Sequence, residues 1–343
     1  MAEFVAGRAA TRSDRIRMAL SQALVAAHIQ HWQAQLNQPW YNHRRYWPEC
    51  LFHHAPLENA TAILSSGMLR SRNDPANPRP RDVAAREVNA ARAHAHDRVR
   101  LYFRPKTPTQ YHIEGIRKLG ECRFGDETHA PVLVMFILDA QSILTMPDTQ
   151  FCDRNMQRAD AMPGETEAYF AAIPFDKVYH EGPTGGDETI PYHRCAEVLP
   201  QSPLDLEHCL KAVIFRSEPE RDTLLNLLGH HRARWAARCY VSDALKVSEK
   251  RYSFVQEIGM THEGVTFLLN PRADHRGVKI SIQIWNSTGQ FVVRFDHADL
   301  QAAPPQGRWI YNHAFIDGVY RVRVDIEDHV AYDAHIPLGP ALF

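Results

Sequence analysis

Apolar positions along this chain pass through three textures, and each predicts a different kind of element. In residues 1–48, Ile16, Leu20, Leu24, Ile29, Trp32 and Leu36 recur at helical spacing behind the candidate N-caps Thr11, Ser13 and Asp14. One face is apolar and the other carries Arg and Gln, so the stretch predicts a helical extension docked on a partner surface. From Leu51 the texture is mixed. Residues 51–54 predict a short strand, and residues 57–66 a helix closed by Gly67 as its C′ glycine. Residues 73–82 hold three prolines and form a loop, and residues 83–92 suit a short helix. Residues 99–103 and 131–138 predict strands, the second so continuously apolar that it belongs inside a sheet.

Residues 146–190 are rich in Gly, Pro, Asp and Glu with few periodic stretches; so long a loop in a compact domain is usually functional or mobile. Residues 210–216 predict another buried strand, followed by a helix through Leu228 with Glu218 and Glu220 in its first turn. Beyond the polar stretch 241–250 the period falls to two. Residues 265–269, 278–285, 291–295 and 319–326 alternate apolar and polar, with turns at 286–289 and 317–318, and predict a small all-β sandwich.

Composition narrows the function classes. The chain has 343 residues with 44% hydrophobic and 23% charged, which excludes wholesale disorder. No run approaches the ~18 apolar residues of a membrane span. The basic N-terminus lacks the apolar segment of a signal peptide. Six scattered cysteines without a C-x-x-C pair suit a reducing cytoplasm better than a disulfide framework or a zinc module. The 20 histidines include the pairs His53-His54, His94 with His96, and His230-His231, but none has the spacing that fixes a zinc geometry, so no metal is expected. Neither G-x-G-x-x-G nor a P-loop occurs, which speaks against dinucleotide-binding Rossmann enzymes and P-loop NTPases.

A net charge of −1 argues against indiscriminate coating of nucleic acid. The average conceals a local imbalance. Residues 69–118 hold twelve Lys/Arg against five Asp/Glu, with Tyr102, Phe103 and Tyr111 interleaved among Arg100, Arg104 and Lys106. Cations with flat side chains suit a phosphate backbone with stacked bases, and equally a solvated loop around a core strand. Glu197 stands at a strand start beyond the long loop, in Tyr192-His193-Arg194-Cys195-Ala196-Glu197. A carboxylate there suits catalysis, although by residue type alone a Glu ordinarily faces solvent.

Taken together, residues about 50–230 resemble the DarT family of nucleic-acid ADP-ribosyltransferase toxins. Four segments carry the likeness in the family's order: Leu51-Phe52-His53-His54-Ala55-Pro56-Leu57-Glu58-Asn59; Asp82-Val83-Ala84 through Arg92; Tyr102-Phe103-Arg104-Pro105-Lys106-Thr107-Pro108-Thr109-Gln110-Tyr111; and Arg194-x-Ala196-Glu197-Val198-Leu199. Phe151-x-Asp153-Arg154-Asn155 is a fainter fifth. The family often has H-x-T on the first strand; here Ala55 stands at the third position and supplies no hydroxyl.

The resemblance implies an α+β fold, an ADP-ribosyltransferase-like split β-sheet core at 49–245, between the N-terminal helical extension and a β-rich domain at 251–343. It implies NAD as the consumed donor and a nucleobase as acceptor, most naturally in single-stranded DNA, with RNA as the alternative. A degenerate, non-catalytic nucleic-acid-binding module, favoured by Ala55, and a protein-directed transferase are the other readings. Glu197 would be catalytic, with Arg92 orienting the pyrophosphate and the acceptor. His53, Asn59, Tyr102 and Phe103 would join Arg92 around the cofactor. Arg104, Lys106, Gln110, Tyr111, Arg154 and Arg194 would meet the nucleic acid. A toxin of this kind needs an antitoxin or regulator, for which the β-rich domain is a candidate docking surface.

Overall fold

The computed structural model describes residues 20–83, 96–302 and 307–339. Arg92, and all of the predicted 83–92 helix except Val83, lie outside the described residues. The centre is a seven-stranded sheet in the order β5-β6-β3-β1-β4-β8-β9, built from β1 (Cys50–Pro56), β3 (Leu101–Tyr102), β4 (Leu133–Asp139), β5 (Gln150–Cys152), β6 (Glu197–Leu199), β8 (Leu210–Phe215) and β9 (Cys239–Val241). A two-residue pair, β2 (Met68–Leu69) with β7 (Leu204–Asp205), stands beside it. Every neighbour in the large sheet is antiparallel except β8 with β9. The apolar run predicted to lie inside a sheet is β4, buried on both faces between β1 and β8.

Helix α1 (Gln22–Leu36) starts where the Ser21 hydroxyl accepts from the Leu24 amide; the candidate caps Thr11, Ser13 and Asp14 lie outside the described residues. It docks through His28 and Trp32 on the rings of Phe175 and Tyr179, with Phe170 also on His28. Helix α2 (Leu57–Ser66) ends at Gly67 with φ +73°, a left-handed backbone that favours glycine. Helix α3 (Pro108–Ile113) is capped by Thr107, and α4 (Glu218–Leu227) by Ser217 with Pro219 in its first turn. The 146–190 stretch is less irregular than its composition suggests. It contains β5 and the short helices Glu167–Ala172, Phe175–Val178 and, at its end, Ile190–His193. Segments of three to six residues are too short to display a period.

The β-rich part consists of two sheets around one apolar core. One has the order β10-β11-β14, from β10 (Val255–Thr261), β11 (Gly264–Leu269) and β14 (Trp309–Asn312). The other has the order β13-β12-β15-β16, from β12 (Val278–Trp285), β13 (Phe291–Leu300), β15 (Gly318–Ile326) and β16 (His329–Leu338). Val265 and Phe267 of the first sheet meet Ile280, Ile282, Val322 and Val324 of the second, which is the predicted sandwich. Ile116 of the preceding α+β region joins this same core, so the two regions share an apolar seam.

Candidate active site

Lateral register gathers the chemistry. Phe52 of β1 stands opposite Tyr102 of β3, Tyr102 opposite Glu197 of β6, and Glu197 opposite Cys152 of β5. Directly opposed residues share one face of a sheet, so Tyr102 and Glu197 project to the same side. Glu197 is fully buried. Its Oε2 accepts from the Met156 amide at 3.0 Å, while Oε1 accepts no hydrogen bond among the described residues and has the Arg100 Nη1 at 3.8 Å. Burial raises the carboxyl above its ordinary value, opposed by the Arg100 charge and by the Met156 N–H. The neighbouring thiols are not competitors: burial pushes Cys152 up to about 11 and Cys195 to about 12, so neither is an anion at neutral pH.

A cavity of about 490 Å³ opens on the far side of Arg100 and Tyr102, which line it while Glu197 lies behind them. Its walls come from β1, α2, the 68–83 loop, α3, and Asn155 with Gln157 of the segment that holds Glu197. Six arginines line it: Arg70, Arg72, Arg79, Arg81, Arg98 and Arg100. Arg70 pairs with Asp74 at 3.0 Å, Arg72 pairs with Asp82, and Arg81 pairs with Glu58 at 3.4 Å. Arg79 is exposed and makes no ion pair among the described residues. The cavity is thus basic along one wall and apolar along another, where Ile63, Met68, Leu69 and Ile113 lie.

Of the four described residues expected around the cofactor, three line the cavity. His53 is held by Nδ1, which must donate because its partner is the Arg100 carbonyl at 3.0 Å. Burial lowers its pKa, so the neutral ring keeps Nε2 as an acceptor. His54, lowered to about 3 by burial and by His53, lies parallel to Tyr102 with centroids 5.4 Å apart. Asn59 spends its amide on the chain itself, donating to the Arg81 carbonyl at 2.7 Å and accepting from the Arg81 N–H at 2.9 Å. Its role is to fix the basic loop. Phe103 is a correction. Strand alternation turns it away from Tyr102 and into the core against Phe170 and Phe175.

The expected nucleic-acid set needs more revision. Arg104 is 2% exposed; it donates to the Pro105 and His180 carbonyls and lies over Trp47. Gln110 is 1% exposed; it accepts from the Lys106 N–H and donates to Glu114 and the Val247 carbonyl. Neither reaches a strand: both are framework, because the backbone turns around them left polar groups for which their side chains are the buried partners. Lys106 pairs with Glu181 at 3.4 Å, Arg154 with Asp153 and Asp160, and Arg194 donates to His180 and the Gly182 carbonyl. These three are already engaged within the protein. Tyr111 is exposed at the surface.

The sequence profile of the family described as ssDNA thymidine ADP-ribosyltransferase, DarT, matches residues 52–241, more than half of the chain. The chain belongs to this family and is an NAD-dependent ADP-ribosyltransferase. Among solved structures it is similar to Thermus sp. 2.9 DarT in complex with ADP-ribosylated ssDNA, at 19% identity and a TM-score of 0.46, covering 59% of this chain and 96% of that one. The same Thermus protein in complex with NAD+ gives 18% identity and a TM-score of 0.44, covering 59% and 98%. Thermosipho africanus DarTG in complex with ADP-ribose gives 13% identity and a TM-score of 0.41, covering 65% and 55%. No curated protein matches. Among the described residues, no helix is long and apolar enough to cross a membrane, and no cluster of three or more His, Cys, Asp or Glu is placed to hold a metal ion.

Proposed function

We propose that the cavity beside β1 holds NAD and that Glu197 directs its ADP-ribose onto a thymine of single-stranded DNA, the act of a toxin. The observation that carries the reading is the Glu197 carboxylate itself: fully buried, anchored through Oε2, with Oε1 left for a substrate. Scission of the nicotinamide–ribose bond sends its electron pair away with nicotinamide and leaves positive charge on the ribose. A buried anion stabilises that charge more strongly than a solvated one. In a nucleoside, thymine carries a single N–H. That nitrogen bonds to the ribose carbon and its proton passes to Glu197. The arginine-lined wall, with Arg79 unpaired among the described residues, suits the pyrophosphate, and His53 Nε2 offers an acceptor to a ribose hydroxyl. Because Glu197 lies wholly beneath the surface, the 153–158 segment or Arg100 shifts to admit the substrate.

Incubation with labelled NAD and separate pools of single-stranded DNA, RNA and protein tests the reading. Label is expected on thymine-containing DNA and absent from thymine-free DNA; label confined to RNA or polypeptide would overturn it. The neighbouring cation gives a second expectation. Arg100 holds the Glu197 carboxyl down, so Arg100→Gln moves the acid limb of kcat/KM to higher pH. An unmoved limb would mean that Glu197 is not the titrating group. An enzyme that marks DNA bases also calls for neutralisation by an inhibitor or by a hydrolase that removes the mark. The exposed Phe291, Ile310 and Ile316 of the β-rich part offer apolar surface for such a partner.

A further inference from the structure

The cations that the motif places near the cavity are spent inside the protein, yet a different cationic surface lies at its mouth. His112 and Phe124 both line the cavity, their rings 5.5 Å apart and edge to face. Tyr111 continues the series with its ring 5.6 Å from His112. Tyr111 is 42% exposed and Phe124 45%. The guanidinium of Arg251 lies over the Tyr111 ring at 4.0 Å, and that of Arg123 near Phe124 at 5.3 Å. Neither Arg123 nor Arg251 makes an ion pair among the described residues, in contrast to Arg154 and Lys106. The local field registers on His112, whose pKa is lowered by burial and then by Arg123, Arg117 and Arg251. On this loop Asp126 turns its carboxylate to the Gly120 amide at 2.7 Å.

The placement of these residues is not incidental. Residues 114–130 form a loop pinched at its base by the Gly115 N–H to the Ala130 carbonyl and the Ala130 N–H to the Ile113 carbonyl, both backbone bonds. The β-rich part holds its flank: Arg272 pairs with Glu121 at 3.0 Å, Arg276 with the same carboxylate at 2.5 Å, and Arg117 stacks on Tyr252 at 4.5 Å. Gly115 admits this contact, since a Cβ there would come within 2.8 Å of the Tyr252 side chain. Arg251 itself opens the β-rich region at 251–343, beyond the part of the chain that the family profile matches.

Resting on the single-stranded DNA reading above, we infer that the strand flanking the target base leaves the cavity over Phe124, His112 and Tyr111, with its phosphates on Arg123 and Arg251. Flat rings alternating with unpaired guanidiniums match the needs of unpaired nucleotides, whose bases stack and whose phosphates require cations, with no demand on sequence. Continuity with the cavity fixes the occupant as the same strand that presents the base. The β-rich part thereby acquires a task in the reaction: it braces the loop and carries the arginine that together extend the DNA footprint.

The test uses the full chain and oligonucleotides of two lengths, one ending close to the target thymine and one extending well beyond it. Binding is read by fluorescence anisotropy across a salt series, and turnover by labelled NAD. Arg123→Glu with Arg251→Glu is expected to weaken binding of the long oligonucleotide about tenfold or more and to flatten the salt slope by about 1.4, at about 0.7 for each phosphate contact on a single strand. KM for the oligonucleotide should rise while KM for NAD holds. Tyr111→Ala should cost about fivefold or more and Tyr111→Phe little, because stacking needs only the ring. The charge-reversed protein should also cease to prefer the long oligonucleotide over the short one. Unchanged affinity, salt slope and length preference, in an enzyme whose parent modifies single-stranded DNA, would overturn this path alone. A parent that neither binds nor modifies single-stranded DNA would overturn the substrate reading, and the path with it.

Discussion

Replacing Glu197 by Gln is expected to lower the rate of ADP-ribosyl transfer about 10³-fold while raising the melting temperature at neutral pH. The loss of rate follows from the two tasks proposed for the carboxylate, stabilising ribose charge and taking the base proton, since general-base assistance alone is commonly worth roughly 10²–10⁴-fold. The gain in stability follows from the position of Glu197. Its carboxyl is fully buried and raised in pKa, held by one backbone N–H and an arginine at 3.8 Å. A group whose folded pKa lies above its unfolded value stabilises the fold below the unfolded value, and that contribution is lost as pH rises through the folded one. At neutral pH the wild-type protein therefore bears the cost of a buried anion that Gln does not incur.

Thermal melting of wild type and Glu197→Gln from acid to neutral pH resolves this. The two curves should lie close near the ordinary carboxyl value and separate as pH rises, with the variant the more stable. Parallel curves would mean that the carboxyl is not strained by its burial, and a variant that keeps near-parental turnover would remove Glu197 from the chemistry. A residue that destabilises its own fold is expected where function sets the residue rather than packing.

How far the sequence disclosed this site depends on what each residue needed. The strand–helix unit 50–66 was legible because its signals are local: an apolar run, a helical period, and a glycine at the C′ position. The position of Glu197 at a strand start was legible through its segment, since β6 begins at it and places it opposite Tyr102. The side chains of the motif 102–111 were misread in part because charge suggests surface. Arg104 is buried by Trp47 and by the His180 carbonyl, and Gln110 by the Val247 carbonyl, each far away in sequence. Nothing near Arg104 marks it as the donor that those distant groups require. The converse error explains Arg123 and Arg251. Each is an ordinary surface arginine by composition, and only the docking of the β-rich part brings Arg251 over Tyr111, on the same surface as Arg123 and Phe124. Short elements such as β5 and the helix Phe175–Val178 were missed for another reason, since three or four residues cannot show a period.

The seam between the two regions should fail first when Arg216 is removed. Arg216 is almost wholly buried; it pairs with Glu220, donates to the Pro131 carbonyl at 2.7 Å, has Glu114 at 3.8 Å, and lies over the Phe254 ring. Glu114 in turn accepts from the Glu249 and Lys250 amides at 3.0 and 3.1 Å, and from Gln110 of the site motif at 2.9 Å. One cation thus compensates two buried carboxylates that hold the segment joining the regions. Arg216→Met leaves both acids buried without it, and breaking a buried pair in this way typically costs about 3–5 kcal/mol. Urea unfolding should show that loss at neutral pH and a smaller one in acid, where Glu220, its carboxyl raised by burial, can protonate. The variant Arg216→Met with Glu220→Leu should recover part of the stability, because an apolar pair avoids the uncompensated charge. A single substitution that costs less than about 1 kcal/mol would show that the carboxylates find other partners. Because Gln110 ties the same network to the motif of the active site, the loss should extend to oligonucleotide turnover before global unfolding, as the 104–113 segment loosens.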